Sequence, residues 1–250
     1  MNNTHVPKFT YVIPFRYRAD RIIPLRRVVD LINGFQGSEI MIIEQDKHSK
    51  ISHLNLKAKH IFIESDLPFN KSWAFNVALK RVISPVVIFA DADFIMNPNE
   101  LIESLKILET CDCVIPTSNI VNLNQGESAA DLNQIFSIKK PGYKFSMTNG
   151  VVLFKRESIQ KIGGWNEDFI GLSQENQFQD IKIKALLNYK ELDYTGYHLF
   201  HRQDPPDSTF LQRNNQIMDT YRNATPDILR QHISQTVYKM GFKNKFSGLY

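Results

Sequence analysis

Val86-Val87-Ile88-Phe89-Ala90-Asp91-Ala92-Asp93 is an apolar run that stops abruptly at two carboxylates separated by one small residue. Five apolar positions in succession, two of them Val and one Ile, read as a buried strand in a mainly parallel sheet, because such strands are covered by helices on both faces. Open α/β sheets bind ligands at the carboxyl ends of their strands. Two Asp at this exit therefore suit a divalent cation held between them and a phosphate-bearing ligand. An ordinary strand-to-loop exit with two solvated Asp has the same sequence, and Asp-x-Asp alone does not separate the two readings.

The residues before this run alternate strands with helices. Phe9 to Pro14 is β-rich and gives way to a loop, Phe15-Arg16-Tyr17-Arg18. From Asp20, a candidate N-cap, apolar residues at helical spacing (Ile22, Ile23, Leu25, Val28, Val29, Leu31, Ile32) predict a helix stopped by Gly34, with Pro24 tolerated early in it though able to delay its start by a residue or two. Glu39–Glu44 and His60–Glu64 are two further strands, the first followed by a polar loop from Gln45 to Ser52. Asn70 caps a second helix that runs to Val82 and feeds the quoted strand through Ser84-Pro85. The alternation predicts a doubly wound α/β sheet whose first half, residues 9–96, is of nucleotide-binding size.

Past Asp93 the pattern is less regular. A helix is expected from Asn97-Pro98 to Thr110, a strand around Cys113–Ile115, then a polar stretch to Ala129 that reads as a mobile loop, with Thr117 to Asn133 as a candidate lid. Asn149-Gly150 marks a tight turn or a close backbone approach before the strand Val151–Phe154. A short helix from Glu157 to Ile162 ends at Gly163-Gly164, Gln174-Glu175-Asn176 opens another, and Tyr194 to Phe200 is a last strand. Residues 204–250 read as a C-terminal extension of one or two helices with a basic end, Lys239 to Lys245.

With 250 residues and 42% hydrophobic content, the chain can bury one substantial core. A net charge of +4, scattered among acids, gives no nucleic-acid footprint and tolerates an anionic substrate. The two cysteines, Cys111 and Cys113, are too close for an ordinary structural disulfide and too few for a zinc site. No apolar run reaches the length of a membrane span, so the expectation is a soluble, cytoplasmic protein whose basic end offers a peripheral membrane contact.

Seven segments then line up in one order: Ile13–Arg18, Phe69-Asn70-Lys71, Phe89–Asp93, Asn149-Gly150-Val151, Gly163–Phe169, Glu175-Asn176 and His198-Leu199-Phe200-His201. Together they resemble the nucleotide-sugar-dependent glycosyltransferases of the GT-A fold, and most of all the beta-1,4-galactosyltransferase group. The resemblance covers residues 9–203 and implies a Rossmann-like GT-A domain. It also implies a UDP-sugar donor, a glycan or glycoconjugate acceptor, and Mn²⁺ or Mg²⁺ as cofactor. It assigns Pro14, Phe15, Arg16 and Arg18 to the nucleotide, Phe69 to stacking on the base, and Lys71 to the diphosphate. Lys71 stands where the family uses Arg, keeping the charge and losing the bidentate fork. Asp91 and Asp93 match the metal motif, with His201 as a further ligand and His198 three residues before it; imidazole favours Mn²⁺. The sugar is expected over Gly150 and Gly164, and Trp165 beside the acceptor or in the core.

One position departs from the pattern. Where the galactosyltransferase-like enzymes have Glu-Asp, the Asp being the base that deprotonates the acceptor, this chain has Glu175-Asn176. An amide cannot take that proton. Glu175 or Asp180 one turn later would serve as base in an inverting transfer; Glu-Asn also looks like the polypeptide N-acetylgalactosaminyltransferases, which retain configuration. Two rivals stand beside this reading. A sugar-nucleotide nucleotidyltransferase would want a glycine-rich phosphate loop after the first strand, and Pro14-Phe15-Arg16 has no glycine. A scaffold that binds a nucleotide sugar or glycan without turning it over is compatible with Asn176.

Overall fold

Val86–Ala90 forms strand β4, buried along its whole length, in a computed structural model that describes residues 7–171, 174–202 and 210–242. Its side chains alternate between two apolar layers, as a strand's must. Val86, Ile88 and Ala90 pack in one layer, with Leu25, Val28, Leu101 and Leu105; Val87 and Phe89 pack in the other, with Trp73, Phe75 and Ile183. Covering both faces explains why the run has no polar alternation.

Upstream lie β1 (Phe9–Phe15), α1 (Ile22–Asn33), β2 (Ser38–Asp46), β3 (Lys59–Glu64) and α2 (Lys71–Leu79). The pairs β1–β2, β2–β3 and β1–β4 are all parallel. Asn70 caps α2, its side chain accepting the Trp73 amide at 2.8 Å. Asp20 does not cap α1. Its carboxylate is taken by Arg18 (3.0 Å) and by the Arg202 amide (2.8 Å), and the helix begins at Ile22 with Pro24 in its first turn.

Downstream the elements are β5 (Phe94–Met96), α3 (Pro98–Leu108), β6 (Cys113–Asn122), α4 (Gln125–Ala129), α5 (Leu132–Phe136), β7 (Val151–Lys155), α6 (Arg156–Lys161), α7 (Glu175–Leu186) and β8 (Tyr189–His198). The eight strands form one sheet in the order β3-β2-β1-β4-β7-β6-β8-β5. Here the parallel pattern breaks: β4–β7, β6–β7 and β5–β8 are antiparallel, and only β6–β8 is parallel. The polar stretch after Cys113 is not the loop expected of it. Thr117 to Asn122 continues β6 against β8, and residues 125–129 and 132–136 are helical. Register irregularities between Ile115 and Asn119 disrupt the alternation that would have revealed the strand. Strand β8 likewise begins at Tyr189, five residues before the expected start, and ends at His198.

Two further helices, α8 (Leu211–Tyr221) and α9 (Pro226–Thr236), follow. They are packed, not free: Met218 and Leu229 join Phe169 and Phe178 in a third apolar cluster. Beyond α9, the Gly241 amide donates to Glu167 Oε1 at 2.5 Å and Trp73 Nε1 donates to the Phe242 carbonyl at 2.8 Å. Lys243 and Lys245 of the basic end lie outside the described residues. No helix among the described residues is long and apolar enough to cross a membrane.

Lys182 of α7 is 2% exposed and donates to the carbonyls of Ile162 (3.2 Å) and Gly164, tying the helix to the Gly163-Gly164 turn. Burial pushes its pKa down to about 7. The unfolded chain, with an ordinary lysine, therefore binds more protons than the folded one from about pH 7 to about pH 10, and this contribution to stability grows as pH rises through that window. Lys182→Met is expected to flatten that rise, lowering the slope of unfolding free energy against pH by up to about 1.4 kcal/mol per unit. Urea titrations across the window read it directly; an unchanged slope would show that Lys182 does not carry the effect.

Candidate active site

Asp93 follows β4 and immediately precedes β5, where it is 5% exposed. Pairing of Phe94 with His198 across β5–β8 brings the end of β8 beside it. The Leu199 amide then donates to the Asp93 carbonyl at 2.7 Å. His198 Nε2 lies 3.4 Å from Asp93 Oδ1, and His201 Nε2 lies 3.0 Å from Asp93 Oδ2. Burial works against the Asp93 charge, yet His198, His201 and Arg21 outweigh it and hold the carboxyl well below its usual range. His201 is shifted up in turn by its bond to Asp93, against its own burial.

The ligand atoms of Asp93, His198 and His201 all lie within 4.8 Å of one another, a spacing that could hold one metal ion. His201 Nδ1 sits 2.7 Å from the Arg202 carbonyl, which accepts a hydrogen bond from it in the Nδ1–H tautomer. With a cation between them, that tautomer would free the Nε2 lone pair to ligate it in place of the hydrogen bond to Asp93, the arrangement by which an outer carbonyl orients a ligating imidazole. One carboxylate and two imidazoles suit Mn²⁺ better than the all-oxygen preference of Mg²⁺. Asp91, expected to share the cation, is outside this cluster. Its Oδ1 pairs with Lys71 Nζ at 2.6 Å, at the first residue of α2. Burial disfavours the Lys71 charge, but Asp91, Glu175 and Asp93 prevail and shift its pKa up.

The antiparallel insertion of β7 beside β4 supplies the next wall. The Asp91 amide donates to the Gly150 carbonyl at 2.9 Å. Gly150 has φ 81°, and a Cβ there would lie 2.3 Å from the Phe94 ring, so the turn requires glycine. Asn149 accepts from the Asn176 amide at 3.0 Å, while Asn176 Oδ1 is buried with no hydrogen-bond partner. Glu175, at the start of α7, is close enough to Lys71 to raise its pKa.

Other expected residues divide. Phe69 is partly exposed just before α2, and Arg16 is partly buried, its Nη1 donating to the Leu67 carbonyl at 2.8 Å, so β1 and the segment before α2 meet here. Arg18 pairs with Asp20. Pro14 and Phe15 are buried members of β1, not loop residues. Trp165 is 2% exposed between Phe75 (ring centroids 4.8 Å) and Phe89 (5.6 Å), a core side chain and not an acceptor platform. Gly164 packs away from the cluster: a Cβ would lie 2.4 Å from Asn76 Oδ1 and 2.9 Å from Met240 Sδ. Asp180 is enclosed. It accepts from the Ser146 hydroxyl (2.7 Å), the amides of Met147 (2.9 Å) and Thr148 (3.1 Å), and the Thr148 hydroxyl (3.0 Å). Burial nonetheless shifts its pKa up.

Three supporting residues escaped the sequence reading. Arg21 lies near enough to act on Asp93 and His201. Gln45 is fully buried and accepts the Asn70 amide at 2.7 Å while donating to the Pro68 carbonyl at 3.1 Å, fixing the backbone on both sides of Phe69. Asn76 donates to the Trp165 carbonyl (2.7 Å) and to Glu167 Oε1 (2.8 Å), holding α2 against the Gly-Gly-Trp segment. A buried Asn inside an apolar helix was the one signal for the last of these.

The fold has solved counterparts. The catalytic domain of Drosophila beta1,4-galactosyltransferase 7, in complex with xylobiose, superposes with a TM-score of 0.54 at 16% identity, over 89% of this chain and 84% of that one. The mannosyltransferase PcManGT from Pyrobaculum calidifontis, with GDP-Man and Mn²⁺, gives 0.55 at 16% identity over 94% and 71%. GalNAc-T7, with UDP, GalNAc and Mn²⁺, gives 0.60 at 15% identity over 92% of this chain and 48% of that one. The chain has the GT-A fold. No protein-family model matches the sequence, and no curated protein matches it. In GT-A terms, the Asp93 cluster sits at the carboxyl end of the central strand β4, where open α/β sheets place their ligands.

If the cluster holds a cation, His201→Ala and Asp93→Ala are each expected to weaken Mn²⁺ binding by more than the roughly 10–100-fold typical of losing an outer-shell partner, and His198→Ala, at a partly exposed position, by less than either. Electron paramagnetic resonance of free Mn²⁺ in titrations measures this; equal affinity in His201→Ala would remove His201 from the ligand set.

Proposed function

We propose that the chain is a metal-dependent glycosyltransferase that moves a sugar from a UDP-sugar to a hydroxyl of a glycan or glycoconjugate, with inversion. The observation that carries this reading is the Asp93–His198–His201 cluster, a buried carboxylate with two partly buried imidazoles, at the end of β4 in a GT-A fold, with the Lys71–Asp91 pair beside it. A Mn²⁺ ion bound there would neutralise charge developing on the departing diphosphate.

The chain's own residues then have distinct tasks. Lys71, kept charged by Asp91, Glu175 and Asp93, faces the diphosphate as a second cation. Phe69 stacks on the base, a contact worth about 1–3 kcal/mol, and Arg16 with Arg18 borders the same nucleotide. Gly150 lets the backbone approach the sugar. Glu175 takes the acceptor proton as the hydroxyl oxygen attacks the anomeric carbon and the bond to the diphosphate breaks. Asp180 suits that task less, because four donors already occupy its two oxygens; its place is to fix residues 146–148 beneath Asn149-Gly150. A mutant of the Drosophila enzyme holds manganese, UDP-Gal and xylobiose, and the mannosyltransferase holds GDP-Man and Mn²⁺, which supports a nucleotide-sugar donor and, for the former, a glycan acceptor.

A donor panel of UDP-sugars with Mn²⁺, followed by mass spectrometry of product and nuclear magnetic resonance of its anomeric proton, tests the reading. Release of UDP with an inverted product is expected, and Glu175→Gln should cut transfer by about 10²–10⁴-fold, the usual contribution of a general base, with UDP binding unchanged. Retained UDP binding without turnover for any donor would turn the reading into a binding module; normal turnover in Glu175→Gln would overturn the base.

A further inference from the structure

A cavity lies away from the Asp93 cluster. It has a volume of about 570 Å³, inside the range of small-molecule sites, and opens between the start of α3, the β6–β8 pair and the segment after α5. Thr195 and Tyr197 line it. Along β8 these residues alternate with Gly196, whose Cα packs on the Phe94 ring, and with His198, which faces Asp93. The cavity is therefore on the other face of the sheet from the cluster, with Thr195 about 10 Å along the strand from His198.

Its construction is specific. The floor is aromatic: the rings of Phe136 and Tyr197 lie 5.8 Å apart, and the Tyr197 hydroxyl is 3.3 Å from the carbonyls of both Phe136 and Ile138. One wall depends on Gly142, because a Cβ there would lie 2.2 Å from the Ile120 carbonyl oxygen and 2.5 Å from Asn119 Oδ1. Around the floor stand Asn97, Glu100, Asn119 and Thr195, all partly exposed. Asn97 uses its side-chain oxygen to cap α3, accepting the Asn99 amide at 2.9 Å, and keeps its NH₂. No hydrogen bond among the described residues occupies the Asn119 amide, the Thr195 hydroxyl or the Glu100 carboxylate.

These groups mix donors and acceptors over an aromatic floor, and that mixture selects among ligands. Charges around it offset one another: Lys139 and Lys140 line the cavity together with Glu100, and Lys140 is paired with Glu127 at 2.6 Å, so the lining has no excess charge to select an anion. A lipid chain would leave two amides, a hydroxyl and a carboxylate unpaired. A sugar offers paired hydroxyls to amides and a carboxylate, and an apolar ring face to an aromatic surface. We propose that this cavity is a second saccharide-binding site, taking a neutral oligosaccharide independently of the Asp93 cluster. It does not require the transfer reading.

Saturation-transfer difference spectra of the full chain with cellobiose, lactose, chitobiose and xylobiose test it. At least one disaccharide is expected to bind with millimolar affinity. Binding should persist in Asp93→Ala and weaken by about ten-fold or more in Asn119→Ala/Thr195→Val and in Glu100→Ala, each loss corresponding to about 1.4 kcal/mol or more. Glu100 is at the partly exposed start of α3, so its variant decides the matter if the double variant fails to fold. Absence of binding by all four sugars overturns the proposal. So does binding that disappears in Asp93→Ala, or that survives unchanged in the cavity variants.

Discussion

A carboxylate withdrawn from water is unfavourable by several kcal/mol unless charges or donors surround it, and Asp93 is 5% exposed. Its compensation comes from His198 and His201, more than a hundred residues later in the chain. The site therefore depends on one tertiary event, the docking of the end of β8 beside the end of β4 through three residue pairs of β5. Everything near the cluster is arranged to keep that junction fixed, including the Leu199 amide on the Asp93 carbonyl and the Arg202 carbonyl on the outer nitrogen of His201.

Lys71 and Asp91 repeat the same physics one step out. Each offsets the other's desolvation, so a charged pair persists where either alone would be unfavourable. The antiparallel strand β7 contributes a backbone wall, and its glycine at position 150 leaves room for Phe94. Backbone, carboxylates, imidazoles and one ammonium thus converge from four separate segments. Such convergence is what a parallel sheet achieves at its carboxyl edge and what its other edge, where the strands begin, does not.

Much of this was legible in the residues. The apolar run of β4, the Asn70 cap and the alternating elements before it carry strong local signals, so the parallel half of the sheet reads directly. His201 was found through its place in a motif series, since two histidines near a strand end have no periodicity to mark them. The long β6 was hidden by its register irregularities and its Asn and Ser content. Trp165 and Gly164 misled because a motif records where residues stand in the chain and not which way they face; both belong to the packing of α2. Arg21 and Gln45 gave no signal at all, for their neighbours are set only by tertiary contact.

The contact between Trp73 and the Phe242 carbonyl joins residues 169 positions apart. Residues 71–79 form a helix buried in the nucleotide-sized half, and Met240, Gly241 and Phe242 cover the indole of Trp73 and the backbone around Asn76. The first ninety residues therefore do not close this layer of their core by themselves: its outer seam is supplied by residues far along the chain.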